Sequence, residues 1–343
     1  MAMERLTALW ALNESGLGGI MHAAKLPFSG MIVGGFAVIL ISLIGYFAEN
    51  KFASIIKATI VVLLVKFVMS PHSPLQAYFA VSFQGILGAI LFDKITYFKI
   101  GAMMLAVTSL LESAIQKLLM LTVLYGTSFW KAINLFYKYI AGEFSIKNTN
   151  INGSEILIGA YVGLYLAGGM VVGWLAGIFP AHINRLSGED EPIKKLRILY
   201  SNNKPVLISP SINSKKENII KSIIIPVLII FSFVPFSVAA YGFMHGVYLF
   251  IRVIIILALW YFLLAPFLMK LLRKLLKKKS KMYFNDVDNA IKILPFLVKM
   301  AKFIWHESAN KKGIKRLDYF FSTLVVFTLF YTQEDFEIIT THN

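Results

Sequence analysis

The sequence predicts an all-α, polytopic transmembrane helical bundle of about eight spans, closed by a basic amphipathic cytoplasmic C-terminal region. Three observations lead there. Hydrophobic residues make up 57% of the 343 residues, and mean hydropathy is +0.70. Charged residues are only 15%, against about 25% in an ordinary soluble domain. Runs of roughly 20 apolar residues, the length that crosses a bilayer, recur along the chain.

Taken in order, spans are expected at about 28–48, 52–69, 75–93, 100–125, 128–141, 156–180, 220–241 and 245–269. The fifth is short and reads equally as a tilted, re-entrant or interfacial helix. Residues 1–180 then form a Gly-rich six-helix membrane domain, 181–219 a cytoplasmic basic linker, 220–270 a two-helix transmembrane hairpin and 271–343 a cytoplasmic basic tail. Orientation follows from Lys and Arg. Residues 181–221 hold eight of them, and "KLLRKLLKKKSKM" at 270–282 holds seven with no acid, so both face inside. Counting back through six spans puts the N-terminus inside. Should 128–141 fail to cross, that count puts it outside.

The tail opens with "FNDVDNAIKILPFLVKMAKFIWHES". Apolar residues at 291, 294, 297, 300 and 304 alternate with Lys292, Lys299 and Lys302 at helical spacing. Such a helix suits an anionic lipid surface or a partner's groove. Pro295 predicts a kink or break within it. "DYFFSTLVVFTLFYT" at 318–332 is apolar but short, and its composition leaves helix and strand open.

The net charge of +16 is explained by positive-inside loops, so nucleic acid is not an expected partner. With no cysteine and no His pair at ligand spacing, metal and thiol chemistry are not expected. No P-loop, H-E-x-x-H or G-x-S-x-G motif occurs. Neither a cofactor nor a catalytic residue is therefore expected, and the chain reads as a non-enzyme. "MAMERLTALWALNESGLGG" lacks the features of a cleavable signal peptide.

Polar residues in apolar surroundings are the candidate ligand-binding groups. Glu112 lies deep in the fourth span, with Gln116 one turn on and about 40° round the same face. Gln84 sits beside Gly85 and Gly88 in the third. Asn13, Glu14 and His22 interleave with glycines before the first. Arg252, in "YLFIRVIIILALW", is the candidate structural ion-pair partner of Glu112. Small residues at Gly30/Gly34, Gly85/Ala89, Gly159/Gly163 and Gly173/Gly177 predict close helix crossings or a docking face.

A six-helix unit with both ends inside, a "LPFSG" lead-in to the first long span, the "SPHSPLQAYFAVSFQGILGAILF" turn-and-span and a Gly-rich sixth span together resemble the S component of energy-coupling factor (ECF) vitamin transporters. The likeness covers about residues 10–180 and is one of layout. It implies capture of a micronutrient from outside, with a transmembrane coupling protein and cytoplasmic ATPase subunits supplying the energy. The hairpin and tail are additional to such a unit and are compared with a T component. The resemblance places the chain in a bacterial inner membrane. The alternative is a non-catalytic scaffold or assembly protein acting through the basic tail.

Overall fold

A computed structural model describes residues 2–23, 28–70, 73–143, 152–187 and 243–330. Among these no strand is present. The helices are α1 Ala2–Leu12, α2 Gly18–Ala23, α3 Ser29–Phe47, α4 Lys51–Met69, α5 Leu75–Lys94, α6 Phe98–Tyr125, α7 Thr127–Glu143, α8 Gly153–Ser187, α9 Phe243–Ala258, α10 Ala265–Ser280, α11 Phe284–Glu307 and α12 Ile314–Phe330. A π-helical turn, Asn13–Leu17, joins α1 to α2, and another, Leu259–Leu264, joins α9 to α10. Six described stretches are long and apolar enough to cross a membrane: Ser29–Phe47, Lys51–Met69, Leu75–Lys94, Phe98–Tyr125, Gly153–Leu186 and Phe250–Leu276. The expected linker beyond 187 and the expected span at 220–241 lie outside the described residues.

The chain divides into two compact units, Met1–Ser113 with Tyr165–Val206 and Leu272–Asn343, and Ala114–Leu164 with Leu207–Leu271. In the first unit, α3 is central and the helix directions follow from glycine contacts. A Cβ on Gly45 would meet Phe92, and one on Gly88 would meet Ile41, so α3 and α5 are parallel. Gly85 faces Thr59, and Gly101 faces Phe92, so α4 and α6 each run against α5. Gly169, Gly173 and Gly177 lie in turn against Val107, Met103 and Lys99, so α8 descends antiparallel to α6. The Gly173 site is only 2.7 Å from the Met103 backbone, an approach that needs glycine.

The expected fifth span is the helix α7; at 17 residues it is shorter than the helices around it and is not among the six stretches long and apolar enough to cross a membrane. α1, the π-turn and α2 form one unbroken helix from Ala2 to Ala23, roughly 33 Å long at about 1.5 Å per residue. Side-chain contacts set it alongside α4 in the same direction: Glu14 meets Lys66, and Ser15 meets Ser70. Within the first unit, Ala2 thus lies at the same end as the finish of α8. That end carries Lys51, Lys94, Lys99 and Arg185, and we call it the basic end. The other end, around Ser70, Ser73 and Pro74, is the neutral end.

The C-terminal helices belong to this unit. α11 buries Ala290, Leu294, Leu297, Met300 and Ile304, packed on α1 and α4. The apolar stripe read from the sequence is thus covered by the chain itself, and Lys299 and Lys302 stay exposed. Lys57 on α4 pairs with Asp286 at 2.8 Å, which fixes the start of α11 near the basic end. Helix α11 continues through Pro295 without interruption. The apolar stretch after Asp318 is helix, α12, which buries Leu324 to Leu329 and sets Phe321 against Phe36 in a tilted ring contact with centroids 4.5 Å apart.

In the second unit, Gly126 turns the chain with φ +70 and lies directly under the Arg252 guanidinium. Trp130 Nε1 donates to Thr122 Oγ1 at 3.1 Å, and the Ser154 amide donates to Asn134 Oδ1 at 2.7 Å. At Gly159 and Gly163 nothing among the described residues lies within 4 Å of an added Cβ, so this pair marks no crossing there.

Candidate functional site

The site begins with the π-turn. Five residues share one wide turn, and the Gly18 amide reaches back to the Asn13 carbonyl. The extra residue rotates Asn13 and Glu14 together toward the bundle, and π-turns of this kind are frequent at functional sites. Asn13 Nδ2 donates to the Val33 carbonyl of α3 at 3.0 Å. Ser15 Oγ donates to the Ala11 carbonyl, and Ser70 Oγ to the Ser15 carbonyl.

Glu14 is met by Lys66. Lys66 Nζ donates to Glu14 Oε2 at 2.7 Å, with both side chains almost fully buried, 5% exposed for Glu14 and 2% for Lys66. Lys66 is the member of this cluster that the sequence did not single out. Its signal was a lone lysine inside the run "ATIVVLLVKFVM". The pair is poorly explained by stability. Desolvating two ions offsets most of their attraction, and apolar replacements of a buried pair are often as stable or more so. Ionisable groups at membrane depth are functional by default.

Gln84 stands at the next residue of α3. Its Nε2 is 3.0 Å from where a Gly34 Cβ would be, so a side chain there would press on the carboxamide. Asn13 and Gln84 thus address adjacent positions of α3, Val33 and Gly34. On α6, Leu105 packs at Gly88 of α5. One turn further along these antiparallel helices, Ser109 and Gln84 come to the same level. Gln84 is 2% exposed and Ser109 fully buried, yet neither Gln84 Oε1 nor Ser109 Oγ has a hydrogen-bond partner among the described residues. Ser42 Oγ and Trp10 Nε1 are also orphaned. An orphan atom alone therefore defines nothing; Gln84 and Ser109 are singled out because they share one level on neighbouring helices. Buried polar atoms are ordinarily satisfied, by protein, water or ligand.

Glu112 lies one turn beyond Ser109 toward the neutral end and is half-buried. Ser113, beside it, packs at Gly30 of α3. Gln116 is half-buried on the stretch of α6 that belongs to the second unit, as does Arg252. His22 falls within α2, and its side chain lies outside the described residues. Of the residues singled out from sequence, the structure therefore brings Asn13 and Gln84 to adjacent positions of α3, with Glu14 next to Asn13 on Lys66 of α4. Glu112 is on the adjoining turn of α6.

Among the described residues no group of His, Asp and Glu is placed to hold a metal ion. Compared with protein-family models, with curated proteins and with solved structures, the chain matches none.

Proposed function

We propose that this multi-pass membrane protein is a transport component that takes up a small polar molecule between α3, α5 and α6, entering from the neutral end. The observation that carries the reading is that Gln84 Oε1 and Ser109 Oγ, at one level on neighbouring helices, are both buried without a hydrogen-bond partner among the described residues. Glu112 lies on the side a ligand would pass, and the Glu14–Lys66 pair fixes the helix that walls it. A carboxamide, a hydroxyl and a carboxylate together suit a neutral or cationic solute with both donors and acceptors. The basic end is cytoplasmic by the positive-inside rule, so capture is from outside. The absence of a P-loop from the sequence fits energy supplied by a partner ATPase. This keeps the functional content of the ECF-type reading while exchanging α7 for the N-terminal helix as the sixth crossing.

The experiment is a thermal-shift screen of the detergent-purified protein against water-soluble micronutrients, amino acids and nucleobases. A ligand at 100 times its Kd stabilises by about 2.7 kcal/mol. The reading expects at least one compound to raise Tm in the native protein and not in Gln84→Met. A hit equally strong in Gln84→Met, or no hit at all, argues for a scaffold acting through its basic end.

A further inference from the structure

A second site lies at the basic end of the first unit, away from the residues above. The end of α8 and the start of α12 enclose a cleft of about 640 Å³. Lys311, Lys312, Lys315 and His182 line its polar part, and Val326 and Phe327 are among its apolar wall residues. Asp318 is the one acid among the lining residues.

The corner that presents these lysines is built. Arg316 lies 4.1 Å over the Trp305 ring, donates to the Trp305 carbonyl and donates to Ser308 Oγ. Ser308 is itself fully buried and donates back to the Trp305 carbonyl. Gly313, with φ +58, then turns the chain so that Lys311 and Lys312 lie on the same side as Lys315. Lys311 Nζ rests 3.8 Å from the Tyr319 ring centroid. Burial pushes the Tyr319 phenol up, with the Glu307 charge adding to it, so the hydroxyl stays a donor. Ammonium groups and a phenol at the mouth, with an apolar wall behind, at the end of a membrane-length helix, match one chemistry: a phosphate on an acyl-bearing ligand.

We propose that this cleft binds the headgroup of an anionic phospholipid, with part of its acyl region against Val326 and Phe327. This is distinct from diffuse attraction of α11's lysines to a charged surface.

The test uses the full chain in a neutral detergent. Phosphatidylglycerol, phosphatidylcholine and glycerol 3-phosphate are added separately, and Tm and lipid retention in native mass spectrometry are read. The proposal expects phosphatidylglycerol to raise Tm and be retained, and the other two to do neither. It expects the triple variant Lys311→Gln, Lys312→Gln, Lys315→Gln to lose more than half of that rise. The control Lys299→Gln with Lys302→Gln keeps it. All five lysines are exposed, so folding is not at stake. Equal effects of phosphatidylcholine would overturn the proposal. So would an undiminished rise in the triple variant, or loss in the control. A shift by glycerol 3-phosphate as large as the lipid's would make the ligand a soluble phosphate and also overturn it.

Discussion

Lys66 Nζ and Glu14 Oε2 meet at 2.7 Å inside the first unit, joining a π-turn of the N-terminal helix to the last turn of α4. This contact explains how a segment carrying Glu14 and several glycines can pack inside an otherwise apolar bundle: the buried carboxylate has its counter-charge beside it.

Removing one partner leaves the other as a lone buried charge. Lys66→Met is expected to destabilise by about 3–5 kcal/mol. The double variant Lys66→Met with Glu14→Leu should recover most of that loss. Thermal denaturation in detergent reads both. Additive losses, the double variant losing as much as Lys66→Met and Glu14→Leu summed, would show that the pair does not interact.

The contact between α6 and α8 rests on glycine. Gly173→Val should cost about 1–3 kcal/mol by overpacking against the Met103 backbone. Gly159→Ala, with nothing within 4 Å, should leave Tm within a degree or two of the native protein. Like effects of the two substitutions would contradict the helix register.

The topology can be read with thiol labels, because the sequence has no cysteine of its own. Single substitutions Ser73→Cys, Thr127→Cys and Asn152→Cys are expected to react with an impermeant maleimide from one side. Lys51→Cys and Lys94→Cys should react from the other. Labelling of Thr127→Cys and Asn152→Cys from opposite sides would restore α7 as a span.

The long apolar helices were legible because hydrophobic runs bounded by Asn50, Pro74 and Lys94 state their own lengths. The predicted spans at 28–48, 52–69, 75–93 and 100–125 fall within two residues of α3 to α6 at each end. The burial of Glu14 was not legible, because its charge is met by a residue 52 positions away. The stripe at 294, 297, 300 and 304 was read correctly as apolar, but periodicity does not say what covers it, and α1 and α4 do. In the candidate site, Gln84 stood out beside its glycines. Ser109 did not, since a serine in an apolar helix usually bonds its own backbone, as Thr59 and Thr108 do here.

The most direct test of a polar, solute-accessible site between α5 and α6 is the reactivity of Ser109→Cys toward a small hydrophilic methanethiosulfonate added at the neutral end. Ser42→Cys, equally buried and equally without a partner, is the reference. Solute access between α5 and α6 predicts that Ser109→Cys reacts readily and is protected by a transported compound, while Ser42→Cys stays inert. Equal inertness at the two positions would mean a dry interface, and the transport reading would fall with it.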